Sequence, residues 1–550
     1  VSRRHFWIAF VLALVFIVVC RLPSVVRPVW NVDEGFTAIT ANVLRSGGTP
    51  YKDSVDHRGP VTYLVYAAVF ALAGKNNMLA LHLTLIGVVV ALLSLLALLA
   101  TRIMSARGTV FALLYFALVS TFGFSSTDLM AFHTEWLVIL FTSLGVLICW
   151  RALDRQAPLG TAILCGVCFA LAGFTKQPAV LDALATLVFL GTLAWFGPTE
   201  NLGLTRRQVL STIAGIVLGG AIVTGAICAF FVARGAWSDF VFYVWTYNRS
   251  YYMAALSFPS KLDALVKVYD LLMTRVEFPL LAAGGFLSLA SAGGWLGVRT
   301  KASWRQLHIA LWGVSSLCGV LAGTRPYAHY FIMLLPSWCL LAGLGVDAFA
   351  PAITTALAGN LSPARKAIRA LIVAAVAAVF LARPGVVAVN YLSRIRTWRA
   401  TESHDPLVAY IKQHSPSDAK IIVWGFRSDL YILTDRDPAT RFAYTTFPVG
   451  LIPYAEATTR EDALRWAVPG AMDTFIAEFR SNRPLFVADT SGSGSFGFDL
   501  FPLDQIPQTA EILADLYEPV PEFSRDAAHG DAAPLSSGIW LYRRRDRGEK

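Results

Sequence analysis

Asp33-Glu34 is an acid pair in a chain otherwise poor in charge, and a carboxylate is the simplest base for a hydroxyl at neutral pH. Asp33 is the better candidate for that work. Glu34, one residue further on, is explained as well by an ordinary task, the stabilisation of a helix N-terminus. His57-Arg58-Gly59-Pro60 has a different character. Proline is favoured at the first helical position, and a helix N-terminus offers free N–H groups and partial positive charge to a phosphate. Arg58 just ahead of it adds a fork of donors matched to phosphate oxygens, with His57 beside it.

Further along, Glu135 lies two residues beyond His133, and Asp128 one or two turns before it; the two acids share a helix face if the helix starts early enough. Histidine and carboxylates together invite a metal reading, but the spacing is not that of a tight site. No metal ligand is therefore assigned, and a divalent cation stays open. Lys176-Gln177 precedes Pro178 at a turn, where the lysine can hold an anion or simply end a helix. Arg325, with His329 and Tyr330, borders another turn; a structural His–Tyr pair is the plain alternative there.

Apolar helices must position these residues. Of 550 residues 56% are hydrophobic and only 15% charged, against about 25% charged in an average soluble chain; mean hydropathy is +0.56. The apolar residues come in long runs such as Thr84–Ala100, Leu137–Trp150 and Ile368–Leu381, as a bilayer core of ~30 Å requires of helices. Hydropathy predicts about 11 transmembrane helices, near 5–22, 78–101, 108–125, 129–150, 158–174, 178–196, 209–233, 270–297, 306–323, 329–348 and 367–384. Two further helices, starting near Asp33 and at Pro60, fill the long connection after the first span and read as amphipathic helices on the outer surface. The aromatic stretch Trp237–Phe258 suits a membrane–water interface.

The net charge of +10 is a topology signal rather than a nucleic-acid one. Arg102 and Arg107, Arg151 and Arg155, Arg206 and Arg207, Arg299 to Arg305, and Arg365 to Arg369 fall in alternate loops, as cytoplasmic turns should. With Arg3 and Arg4 inside and no cleavage site after the first span, an odd count puts the C-terminus outside. Arg21 and Arg27 then sit on the wrong side. All seven cysteines lie in apolar spans, Cys165 and Cys168 included, so they read as packing residues. From Thr401 the composition becomes that of a soluble domain. Strands are predicted at Lys420–Trp424, Pro484–Ala488 and Gly538–Tyr542, with helices at Glu461–Val468 and Gln508–Leu516. The organisation expected is a membrane domain over 1–400 and an outer α/β domain over 401–550.

In that topology the ionisable residues singled out above all map to the outer face, from separate connections, and intramembrane or juxtamembrane charge is functional by default. Asn31-Val32-Asp33-Glu34-Gly35-Phe36, then Asn42 to Gly47-Gly48, then Tyr51 to Asp56-His57-Arg58-Gly59-Pro60 resemble the first outer loop of the GT-C glycosyltransferases. The likeness is greatest to the bacterial protein-mannosyltransferase-like group, family 39 and its relatives, which include the lipid A aminoarabinose transferase. Thr134-Glu135, Thr175-Lys176-Gln177-Pro178 and Arg325-Pro326-Tyr327-Ala328-His329-Tyr330 extend the resemblance, as do Val423-Trp424-Gly425 and Leu430-Tyr431.

The resemblance implies Asp33 as catalytic base, Glu135 as second acid and Arg58, where relatives usually carry lysine, at the carrier phosphate. Beside it, the residues themselves offer Glu34 as a further acid, His57, Lys176 and Arg325 for the donor phosphate, and Asp128, Gln177, His329 and Tyr330 for substrate. The function expected is inverting transfer of a sugar from a polyprenyl-phosphate donor to a glycolipid, glycan or protein acceptor. It would take place outside a bacterial inner membrane, among membrane lipids and without nucleic acid. A transporter or flippase of lipid-linked glycans is the rival, but it should carry its charges near the bilayer midplane on broken helices.

Overall fold

The computed structural model describes all residues except 1–2, 124, 155–158, 197–203, 258, 260, 264, 267–276, 294–300, 324, 326, 358–362, 404, 456, 525–537 and 546–550. Part of the expected span 270–297, the loop residues Arg155 and Arg299, and Pro326 lie outside the described residues. Among the described residues each expected span overlaps a helix, from Arg3–Arg21 to the 41-residue Pro363–Ser403, although the long helix in 129–150 starts only at Thr134 and 329–348 opens as a 3₁₀ turn. Six of the described helices are long and apolar enough to cross a membrane: Arg4–Val26, Met78–Ala100, Thr134–Leu153, Gln177–Trp195, Arg206–Ala233 and Ala328–Phe349. The chain is thus a mostly helical, multi-span membrane protein with a small C-terminal mixed sheet.

It folds as two compact units, each built from separated segments. The first comprises Val1–Val25, His82–Ala229 and Asp263–Ile395 and holds most of the apolar helices. Small residues let them approach closely: a Cβ on Gly166 would lie 2.0 Å from the carbonyl oxygen of Ile216, and one on Gly219 2.0 Å from that of Ile163. In a lipid phase, where tails are as apolar as leucine, such close packing is what associates helices. Arg21, which loop charge places awkwardly, is buried in this unit. Its guanidinium donates to the carbonyls of Ser120 (2.8 Å) and Leu129 (2.6 Å) and lies over the Trp136 ring. The charge is engaged inside the protein, and the loop-charge rule does not apply to it.

The second unit joins Val26–Leu81, Phe230–Leu262 and Arg396–Lys550. Its sheet is ordered β2-β1-β3-β5-β4. Here β1 is Lys420–Trp424, β2 Asp437–Pro438, β3 Phe486–Asp489, β4 Tyr517–Pro519 and β5 Trp540–Arg544. β1 runs parallel to β2 and β3, with Ile421 opposite Phe486, while β5 is antiparallel to β3 and β4. β1, β3 and β5 lie within two residues of expectation. β2 and β4 were not foreseen, nor was the helix Ala471–Asn482.

At the end of β1, Gly425 has φ +116°, and a Cβ there would lie 2.1 Å from Thr490 Oγ1. Only glycine suits that turn. It delivers Phe426 and Ser428 to the helix Val32–Arg45: Phe36 packs edge-on to Phe426, and the Ser428 hydroxyl donates to the carbonyl of Val32. Residues Glu34 to Asn42 are consequently buried without a break. That exceeds the single apolar stripe the periodicity calls for, because the C-terminal segment covers a further face.

Candidate active site

In the second unit, two helix starts carry the expected residues. Asn31 caps the helix Val32–Arg45, its Oδ1 accepting from the N–H of Asp33 at 3.0 Å. Glu34 reaches back, and its Oε2 accepts the N–H of Trp30 at 2.8 Å. Together they tie the first turn to the residue just before the cap, an arrangement like a capping box displaced by one position. Glu34 is thereby buried and spent on the helix end. Asp33 points away from that task.

The helix Pro60–Ala73 starts at the expected proline, with Gly59 as its extended N-cap. Arg58, just ahead, is ion-paired through Nη2 with Asp33 and through Nη1 with Asp56, at 2.9 and 2.8 Å from the two Asp56 oxygens. The three side chains are 25%, 14% and 1% exposed for Asp33, Arg58 and Asp56. Burial opposes the Arg58 charge, but the two carboxylates outweigh it and raise its pKa further above its ordinary value. The trio carries a net charge of about −1. Tyr51 braces it from a left-handed backbone conformation (φ 69°), uncommon for an aromatic residue. Its hydroxyl donates to the Arg58 carbonyl at 2.7 Å.

His57 is set in rings: Tyr252 at 4.9 Å, Tyr247 at 5.7 Å and Tyr444 at 6.0 Å between centroids. Burial foremost pushes its pKa down to about 4; Asp56 works against that, Arg58 adds to it, and Asn248 and Asp33 oppose it. The imidazole is neutral at physiological pH. Asn248, Tyr247 and Tyr252 come from the aromatic stretch, which forms a short helix, Trp237–Val241, and then a π-helix, Phe242–Tyr252. Tyr243 and Tyr247 are buried. Their polar handles thus serve the protein interior as well as any interface.

The first unit gathers the other expected residues. Glu135, in the first turn of Thr134–Asp154, is 1% exposed, ion-paired with Lys176 and hydrogen-bonded by the Thr134 hydroxyl at 3.0 Å. Lys176 lies 3.4 Å from the centre of the Tyr330 ring, a cation–π contact. Gln177 follows at the start of a 3₁₀ turn. His329 Nδ1 donates to Asp128 Oδ1 at 3.2 Å, and the His329 ring stacks on His133 at 4.2 Å. Asp128 Oδ1 also lies 3.9 Å from His133 Nε2, so a carboxylate and two imidazoles, donor types that divalent cations take, meet here. Arg325 is fully buried nearby in the chain, ahead of the 3₁₀ turn Ala328–Leu334.

Sequence reasoning did not single out Asp56 as the second partner of Arg58, although it stands only two residues away. Asn248 gave a fainter signal, an amide in a row of rings. Tyr444 gave none, since only the fold brings it to His57.

No family model and no curated protein matches the sequence. The fold does have solved counterparts. ArnT from Cupriavidus metallidurans bound to undecaprenyl phosphate superposes with a TM-score of 0.60 at 15% identity, covering 98% of either chain. The Archaeoglobus fulgidus oligosaccharyltransferase tethered to an acceptor peptide gives 0.53 at 12% identity, over 93% of this chain and 72% of that one. The mycobacterial arabinofuranosyltransferase AftD gives 0.50 at 14% identity, over 99% of this chain and 42% of that one. These matches extend over nearly the whole length, and the chain has the fold of the GT-C membrane glycosyltransferases.

Proposed function

We propose that this chain is an inverting glycosyltransferase of the bacterial inner membrane, taking its sugar from a polyprenyl-phosphate carrier and passing it to an outer-face hydroxyl acceptor. The observation that carries the reading is the Asp33–Arg58–Asp56 trio at two helix starts. Asp33 is the general base for the acceptor hydroxyl. The departing phosphate needs no general acid, only a cation aimed at its developing charge, and Arg58 supplies it. The pairing gives the base a trigger: a phosphate at Arg58 competes for the guanidinium, and the carboxylate released from it gains basicity. Asp56, buried, keeps Arg58 in place meanwhile. Lys176 and Arg325 are proposed as further phosphate ligands, and Glu135 as the second acid, each to be judged by its own variant. Residues 401–550 are proposed as an outer domain.

The test is transfer by the purified full chain from radiolabelled polyprenyl-phosphate sugars to envelope glycolipid and glycan acceptors. Asp33→Asn keeps the size of the side chain and its capping ability but cannot take the proton, so turnover should fall at least about a hundredfold with donor binding retained. Near-normal turnover removes Asp33 as base. Flipping of the lipid-linked sugar by a chain that transfers none would favour a transporter.

A further inference from the structure

Asn248 reveals which nitrogen of His57 carries the proton. Its Nδ2 lies 2.9 Å from the carbonyl oxygen of His57, 2.9 Å from that of Val244 and 3.3 Å from that of Tyr243. The two N–H bonds of an amide serve these carbonyls, one of them shared; with the amide turned over, an oxygen would face three oxygens and no proton would lie between them. Oδ1 is therefore the atom 3.0 Å from His57 Nδ1. An amide oxygen only accepts, so His57 donates through Nδ1–H. In a neutral imidazole the other nitrogen, Nε2, is then a bare lone pair. Among the described residues nothing hydrogen-bonds to it, and the residue is only partly buried.

We infer that His57 binds a hydroxyl of the saccharide substrate through Nε2, and does not hold the carrier phosphate. An anionic phosphate oxygen is itself only an acceptor and has nothing to give a lone pair. A sugar hydroxyl has a proton to give. The rings of Tyr252, Tyr247 and Tyr444 fix the imidazole plane, and Asn248 fixes its tautomer, so the acceptor is aimed before substrate arrives. The inference rests on the lipid-linked-sugar reading above. The hydroxyl belongs to the donor sugar or to the acceptor, and the experiment separates these.

The experiment reads binding before turnover. The purified full chain is titrated with undecaprenyl phosphate and with its mannose-, glucose- and arabinose-bearing forms. His57→Phe keeps a ring among rings and removes the acceptor nitrogen. Its affinity for the best glycosylated carrier should fall roughly three- to tenfold, the scale of one neutral hydrogen bond, with affinity for the bare carrier unchanged. His57→Gln, whose side-chain oxygen reaches about as far as Nε2, should recover part of the loss. If His57→Phe does not fold, His57→Gln against His57→Met makes the same comparison without a ring.

A loss confined to the KM of the acceptor in transfer assigns the hydroxyl to the acceptor and also supports the inference. An equal loss for bare and glycosylated carrier overturns it, because the contact would then be to phosphate or purely structural. Unchanged donor affinity together with an unchanged acceptor KM overturns it as well. A wild-type chain that binds neither lipid defeats the parent reading, and is recognised by failing before any variant is made.

Discussion

Arg58 and Lys176 are both cations held by carboxylates, but they are held in different ways. Arg58 has two acids, one buried (Asp56) and one a quarter exposed (Asp33). Lys176 has one acid, Glu135, almost wholly buried, and an aromatic ring, Tyr330. Opening the Asp33 pair costs little, since Asp33 can be rehydrated and Arg58 keeps Asp56. Opening the Glu135 pair strands a charge where water is scarce. The first arrangement suits a group that must change partners during a reaction. The second suits one that must stay where it is.

Removing Lys176 should therefore be the most damaging change to the fold. Lys176→Met leaves Glu135 unpaired, and breaking a buried pair costs about 3–5 kcal/mol. The double variant with Glu135→Gln should recover most of it, as thermal unfolding in detergent would show. A single variant as stable as wild type would put Glu135 in the same class as Asp33 and dissolve the contrast.

Arg58→Ala should act mainly on chemistry, lowering kcat about 10²–10³-fold, the scale for losing one aimed charge. Arg58→Lys should retain part of the activity, because it keeps the cation and loses the fork that holds Asp33 and Asp56 at once. If Arg58→Ala instead transfers normally with unchanged donor affinity, the trio is structural.

The next effect is smaller and depends on pH. The His57 pKa is lowered on folding, from an unfolded value of about 6.5 to about 4. The unfolded chain thus binds the extra proton first, and the fold loses stability as pH falls from about 6.5 towards 4. Discounted for the partial exposure of the ring, the loss is about 1–2 kcal/mol. His57→Gln should flatten that part of the stability–pH curve; an unaltered curve would mean that His57 does not carry the dependence. Smallest is Glu34→Gln, which keeps a side-chain oxygen for Trp30 N–H and loses only the dipole term, about 0.3–1 kcal/mol. A hundredfold loss of turnover there would move the base from Asp33 to Glu34.

The helices were legible because hydropathy over some 20 residues is a strong signal, and β1, β3 and β5 because each is a compact apolar run. β2 and β4 have only two and three residues and lie at the sheet edges, too short to show a period. Phe475 and Phe479 did mark one face of Ala471–Asn482, four residues apart. Asp33, Glu34 and Arg58 were legible as types at helix starts. That Glu34 is spent on its helix while Asp33 turns to Arg58 is a matter of rotamers, which spacing does not encode. Asn248 and Tyr444 reach His57 from 191 residues away and from the C-terminal segment. Such partners come only from the tertiary fold.

The π-helix Phe242–Tyr252 leaves the gene little freedom to gain or lose a codon there. Its bonds run i→i+5, each reaching one residue further along the chain than in an α-helix. Deleting a single residue before Asn248, with the bonding pattern kept, would turn that position about the axis by one residue's angle, on the order of 100° in an α-helix. Asn248 would leave His57, and another side chain of the stretch would take its bearing. Substitutions in this segment can be graded one by one, but a one-residue deletion changes every side chain's direction together, and lineages should preserve the length of this segment more strictly than its letters.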